Sequence, residues 1–455
     1  MYDHSNTFNP RHFSVVDNSL PQRKAKNVYL EGAMSFYKPH TPITKVVPAP
    51  GNQIYNTQHN DKRTVISAFQ ESNSKMFESL KPIFLLLRTM GIFPIRHKSE
   101  TFKVSLSWIA YSLIILMTVA GYIGYLKWTK VKITQNADGR FEEAVIDYLF
   151  TVYLVPIVIS PIALYEARKQ ADVLTHVMAF EKIYNKITKK YLQVNLWKKT
   201  ITLSIALPLL GCIIMVITHL TMADFNVIQV IPYCYINVLS YILGGAWYIY
   251  CDIIGEVATL VAEDFQHALK NVGPSSMVAD YRSLWMMLSR IIRNVGNSFG
   301  YALTFLCLYL FFVITLTIYG LFSQIQDGVG LKDIGLTITA VSAVTMLYYI
   351  CDEAHYASAC VRTYFQKKIL LVELSWMNDD AQQEINMFLR ATEMNPTDMC
   401  LCGFFDVNRN LFKSLLATMV TYLVVLLQFQ ISIPEDLSDL NFGNNTFHNK
   451  SLIHT

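Results

Sequence analysis

The sequence predicts an all-α integral membrane protein with seven transmembrane helices, its N-terminus cytoplasmic and its C-terminus extracellular. Three observations carry this. Only 16% of the 455 residues are charged while 52% are hydrophobic, against about a quarter charged in a soluble domain. The apolar residues are gathered into blocks of roughly 20 or more, long enough to cross a ~30 Å hydrocarbon core. Lys and Arg crowd some of the intervening loops and desert others. The net charge of +4 is spread over several loops, which leaves nucleic acid no basic patch to bind.

Residues 1–75 are polar and aperiodic and read as a disordered cytoplasmic tail. They contain no apolar signal segment, so the first membrane helix is expected to direct insertion. Residues 76–103 hold a shorter apolar stretch interrupted by Lys81, Pro82, Arg88 and Pro94, which suits an interfacial or re-entrant amphipathic segment. Residues 104–357 hold six spans: about Val104–Leu126, Ala144–Tyr165, Thr200–Leu220, Val227–Ala262, Phe299–Phe322 and Ile334–Ala357. The fourth outruns a bilayer, and its later half, with Asp252, Glu256, Glu263 and Asp264, is expected to project into the cytosol. Residues 358–410 form a cytoplasmic anchor segment, 411–433 the seventh span and 434–455 an extracellular tail.

Orientation follows from charge. The second loop carries Arg168, Lys169, Lys182, Lys186, Lys189, Lys190, Lys198 and Lys199, and the fourth and sixth loops are also basic. The third has no Lys or Arg, and the fifth only Lys332. Basic loops stay cytoplasmic. Sequons at Asn444 and Asn449 make these glycosylation candidates and agree with an outside C-terminus. That orientation opposes a G-protein-coupled receptor, as does the lack of an Asp-Arg-Tyr or Asn-Pro-x-x-Tyr motif; no G protein is required. A secondary transporter would need internal repeats and broken helices flanked by midplane charge, and neither is seen.

Enzyme chemistry has no foothold, and no cofactor or metal is implied. The eight cysteines fall mostly in apolar blocks and read as packing residues. Cys400-Leu401-Cys402 is too tight for a zinc knuckle. Asp352 and His355 share a helical face, but Arg290 or Arg293 is the expected partner of Asp352. His219 reads as an interfacial side chain.

The last span holds a polar stripe. Thr421, Val425, Gln428 and Ser432 fall on one helical face, and a glutamine deep in an apolar helix needs a partner or water. A pore-lining helix has this pattern, and so does a helix bonded to a neighbour within a bundle. Thr421-Tyr422, five apolar residues and Gln428-Phe429 resemble the signature in the last helix of insect gustatory receptors. Leu87 to Pro94 (LRTMGIFP) looks like that family's N-terminal pattern. The resemblance covers nearly everything after the tail and is greatest to the moth and fly branch that responds to fructose. It implies a homotetramer, or a heterotetramer with related subunits, in the plasma membrane of chemosensory neurons, with one last helix per subunit around a pore. It implies a sugar-gated, non-selective cation channel, its partners being a sugar ligand, permeant cations and the lipid bilayer, with Thr421, Tyr422, Val425, Gln428 and Phe429 at the pore or gate. A receptor for another tastant class, or a pore-silent co-receptor subunit, is the alternative.

A sugar site should combine hydroxyls and amides with an aromatic wall. The outer halves of the spans supply Tyr125 and Trp128 on the first, Asp147, Tyr148 and Thr151 on the second, and Tyr233, Asn237 and Tyr241 at i, i+4 and i+8 on the fourth. Gln324 and Gln326 end the fifth, and Asp333 and Thr337 open the sixth. An interfacial aromatic belt accounts for such tyrosines and tryptophans equally well.

Overall fold

The computed structural model describes residues 75–98, 101–134, 148–194, 196–222, 227–270, 275–324, 330–373, 375 and 377–432. All lie in one compact unit, Glu71–Thr455. The predicted tails, Asp147, Gln326, Asn444 and Asn449 fall outside the described residues.

Seven helices are long and apolar enough to cross a membrane. Span one, Leu106–Trp128, is peripheral and mostly exposed, whereas span four, Ile228–Lys270, is mostly buried and forms the axis of the bundle. Span three, Trp197–Met222, and span six, Leu331–Leu370, pack on span four and on each other. Span five, Gly300–Phe322, packs on span six, and span seven, Arg409–Gln428, lies against both of these. The end of the bundle where span three gives way to span four is called upper below.

Span two runs through Tyr148–Thr188, well beyond the predicted end at Tyr165. Pro156 lacks an N–H, and the chain answers with a 3-10 turn over Val155–Val158 before the helix resumes at Ile159. The basic stretch expected to be loop therefore begins as helix, with Ala163, Ala167, Ala171 and Leu174 buried along one side. It stops at Lys189, whose φ of 57° is a left-handed cap.

Residues 76–103 pack against spans three and four. They form an amphipathic helix, Lys75–Thr89, and a hairpin of β1 (Ile95–Lys98) and β2 (Thr101–Val104), with Ile95 opposite Val104. Met76, Leu80, Ile83, Phe84 and Leu87 are buried, the spacing of one helical face. Gly91 turns the chain at φ +74°, which lets Phe93 stack on Phe84 with centroids 4.7 Å apart.

At the lower end the extensions of spans four and six join two further helices, Ser275–Ser298 and Asp379–Met394. Their core is aromatic: Phe388 meets Phe265 and Phe365 at 5.5 Å and Trp285 at 6.2 Å. A π-turn over Cys360–Tyr364 shifts the helical ladder. Trp285 Nε1 donates to the Val361 carbonyl within that turn at 2.8 Å.

Candidate functional site

The spans converge on a cavity toward the upper end. Its wall takes Tyr153 from span two, Met215 and Thr218 from span three, Asn237, Ser240 and Tyr241 from span four, Tyr309 and Val313 from span five, and Thr339, Ser342 and Met346 from span six. The cavity is tight, with a volume of about 20 Å³. That is room for about one water molecule.

Helix geometry explains both the polarity and the tightness. Thr218 and Thr339 each donate to the carbonyl four residues back, at 2.8 and 2.9 Å, and their hydroxyls lie 3.1 Å apart across the span three–span six seam. Asn237 Nδ2 donates to the Gly211 carbonyl at 2.8 Å. Gly211 permits that approach, since a Cβ there would stand 3.3 Å from the Cα of Val238. The exception is the Tyr153 hydroxyl, which is buried without a hydrogen-bond partner of ordinary geometry, although Thr339 is its polar neighbour.

Of the residues singled out in sequence, Asn237 and Tyr241 line this cavity. Tyr233 sits one turn above, with its ring 4.8 Å from His219 and 5.7 Å from Phe150. His219, expected at the interface, is instead buried among these rings, with Nδ1 3.1 Å from the Met215 carbonyl. The others stand elsewhere. Tyr125, Trp128 and Tyr148 are exposed, and Thr151 is exposed and accepts from Lys127 Nζ at 2.6 Å. Asp333 accepts from the Gly330 N–H at 2.8 Å and so caps span six, while Thr337 faces out. Gln324 lies within the helix, but its side chain is outside the description. Tyr153, Thr218, Ser240, Tyr309, Thr339 and Ser342 were missed. Ser240 and Ser342 carried a signal, being three residues from Asn237 and Thr339 and hence on the same helical faces.

Span seven turns Met419 and Leu423 into the bundle. Thr421, Tyr422, Val425 and Gln428 are exposed on the single chain, Tyr422 meeting the edge of Phe311 at 6.1 Å. Phe429 is in the helix, with its side chain outside the description. The foot of this span meets two neighbours. Asp352 bonds Arg409 Nε at 2.5 Å, in place of the expected Arg290 or Arg293. Before it, the hairpin of β3 (Cys400–Leu401) and β4 (Phe405–Asp406) sits on a glycine face. A Cβ on Gly296 would meet the Cys400 carbonyl oxygen at 2.8 Å, and one on Gly300 would strike the Cys402 sulfur. At the same corner the buried Glu166 of span two accepts from the backbone N–H groups of Tyr301 (2.7 Å) and Ala302 (3.2 Å). It thus caps span five at the positive end of its dipole.

A second, open cleft of about 420 Å³ lies between the lower ends of spans two and four and the helix Ser275–Ser298. Its carboxylate Asp264 is taken by Lys190 at 3.1 Å and by the Tyr184 hydroxyl. Burial, with Asp264 beside it, pushes the Tyr281 phenol up to about 12, so it stays neutral. Among the described residues no group of His, Cys, Asp and Glu is arranged to hold a metal.

Residues 80–433 match the family described as 7tm Chemosensory receptor. The chain is 52% identical over 376 residues to gustatory and odorant receptor 24 of Anopheles gambiae, covering 82% of each chain. It is 26% identical to gustatory and odorant receptor 22 of the same mosquito, over 80% of each. It is 27% identical to gustatory and odorant receptor 21a of Drosophila melanogaster, over 80% of this chain and 82% of that one. Among solved structures the insect olfactory receptor OR5 from Machilis hrabei superposes with a TM-score of 0.57 at 15% identity, over 78% of this chain and 99% of that one. The same receptor in complex with eugenol gives 0.58 at 13% identity and the same coverage. At such identity the two structures speak for the fold. The family match and the mosquito relative speak for descent: the chain is a multi-pass membrane protein that belongs to the 7tm chemosensory receptor family, among the insect gustatory and odorant receptors.

Proposed function

We propose that the chain is a subunit of a ligand-gated, non-selective cation channel in the plasma membrane of insect chemosensory cells. The upper cavity takes the ligand, and span seven lines a pore shared by four subunits, either copies of this chain or related ones. The observation that carries the ligand site is the Tyr153 hydroxyl, buried at the cavity wall with no hydrogen bond of ordinary geometry, Thr339 being its polar neighbour. A buried polar group left unsatisfied is rare in a folded protein, and a ligand oxygen or a water completes it. The pore assignment rests on Gln428. It is exposed on the single chain together with Thr421 and Val425, a polar stripe along an apolar span of the kind that lines a water-filled path.

The geometry supports a small neutral ligand best, one with a single hydrogen-bonding group and an apolar body. Hydroxyls and one amide line the wall among Met, Val, Leu and Tyr side chains, no charged residue does, and the space is tight. The relatives' names join taste to smell, and a structural neighbour is described in complex with eugenol, an aromatic molecule of this general kind. Fructose is the second reading, implied by the resemblance to the fructose-responsive branch and favoured by the hydroxyls and amide of the wall. It requires the upper halves of the spans to part, because a hexose is many times the size of a water.

Expression of the lone chain in a non-neuronal cell, with currents recorded against sugars, bitter compounds, small volatile molecules and carbon dioxide, decides among these. A current within milliseconds that is weakened by Tyr153→Phe supports the proposal. Current evoked by fructose alone selects the second reading, and silence of a surface-expressed chain makes it a subunit that needs a partner.

A further inference from the structure

Three aromatic rings roof the cavity. Phe150, His219 and Tyr233 come from three different spans, and each lies one turn toward the upper end from a cavity residue: Tyr153, Met215 and Asn237 respectively. Their rings form a closed triangle, with centroids 4.8 Å apart for Phe150–His219, 4.8 Å for His219–Tyr233 and 5.7 Å for Phe150–Tyr233. Phe150 also meets Tyr153, a cavity wall residue, at 5.8 Å and nearly edge-on. Phe150 and His219 are almost wholly buried, so the triangle is an interior layer and not a rim.

Nδ1 of His219 bonds within its own helix, to the Met215 carbonyl. The three rings meet by edge-on and tilted packing, in which each contact is individually weak. Phe150 lies before the 3-10 turn at Val155–Val158, which separates it from the helix that resumes at Ile159.

We propose that Phe150, His219 and Tyr233 cap the cavity, and that a ligand arriving from the upper end enters by displacing the Phe150 ring, so that the cap sets the largest ligand admitted. This rests on the reading of the cavity as the ligand site, but its test reads access and not activation. A thiol is placed inside the cavity by Ser240→Cys in the full-length chain in cell membranes. It is offered two neutral reagents, methyl and benzyl methanethiosulfonate, and labelling at residue 240 is followed by mass spectrometry so that the native cysteines do not interfere. With the native cap the methyl reagent labels slowly and the benzyl reagent hardly at all. Adding Phe150→Ala speeds the methyl reagent at least tenfold and admits the benzyl reagent, whereas adding Phe150→Tyr leaves both rates as they were.

Equal rates with and without Phe150→Ala, in a chain that reaches the cell surface, overturn the proposal and point to entry from the lipid between spans. Where Phe150→Ala does not reach the surface, Tyr233→Leu serves as the second variant, with the same two outcomes. A ligand-evoked current insensitive to Tyr153→Phe would sink the ligand reading while leaving the labelling result to stand or fall alone.

Discussion

An unsatisfied buried hydroxyl costs about 1–3 kcal/mol, and Tyr153 carries that cost at the wall of the upper cavity. Removing the hydroxyl therefore has opposite effects on stability and on function. Tyr153→Phe is expected to leave the thermal stability of the ligand-free protein unchanged or slightly raised. It should increase the ligand concentration for half-maximal current about tenfold, the equivalent of roughly one hydrogen bond, ~1.4 kcal/mol. A variant that melts earlier without ligand would show that the phenol supports the fold instead. Glu166 is the contrasting case, because its carboxylate accepts two backbone N–H groups and no ligand is needed to complete it. Glu166→Ala should destabilise the protein by about 1–2 kcal/mol, the worth of a helix cap, with Glu166→Gln keeping part of this through its remaining acceptor. Thermal melting in detergent compares the three. The Arg409–Asp352 pair warrants less weight. The arginine side chain is more than half exposed, and such pairs contribute about 0–1 kcal/mol.

Whole elements repeat this division between what is closed and what is poised. The β3–β4 hairpin that leads into span seven is seated on Gly296 and Gly300, one helical turn apart across the junction of two helices. A side chain at position 296 meets backbone, not a flexible side-chain end, so the hairpin must move. Gly296→Val is expected to abolish ligand-evoked current while surface expression persists. Normal currents from that variant would remove the hairpin from the route to the pore. The spans themselves were legible in sequence, because each is a run of apolar residues and length alone identifies it. The continuation of span two beyond Tyr165 was not, since basic residues on the outer face of a helix look the same as basic residues in a loop. The cavity was half legible. Asn237 and Tyr241 announced themselves by spacing on one helix, but Tyr153, Thr218 and Thr339 come from three different spans, and no single-helix periodicity joins them. Tyr125 and Trp128 stand exposed, away from this cavity, and an interfacial aromatic and a binding-site aromatic look the same in sequence.

At the scale of the whole molecule, the proposed pore needs more than one chain. Span four is enclosed, while span seven is mostly exposed and presents a face carrying Thr421, Val425 and Gln428 to its surroundings. Four copies placed with that face inward would surround the glutamines with one another and with water. Apolar rings along the same helices would then close the path by dewetting until the subunits move. Ligand energy reaches that gate only through a difference in affinity between closed and open states. A site too tight in the closed form and wider in the open one provides such a difference, and four such sites add their effects. The most direct test of this account is the reactivity of Gln428→Cys toward a small, charged, membrane-impermeant thiol reagent, read as a change in ionic current with and without ligand. Modification that blocks the current, and does so faster when ligand is present, is the expected result. A cysteine there that never reacts, together with unaltered conduction in Gln428→Ala, would contradict it.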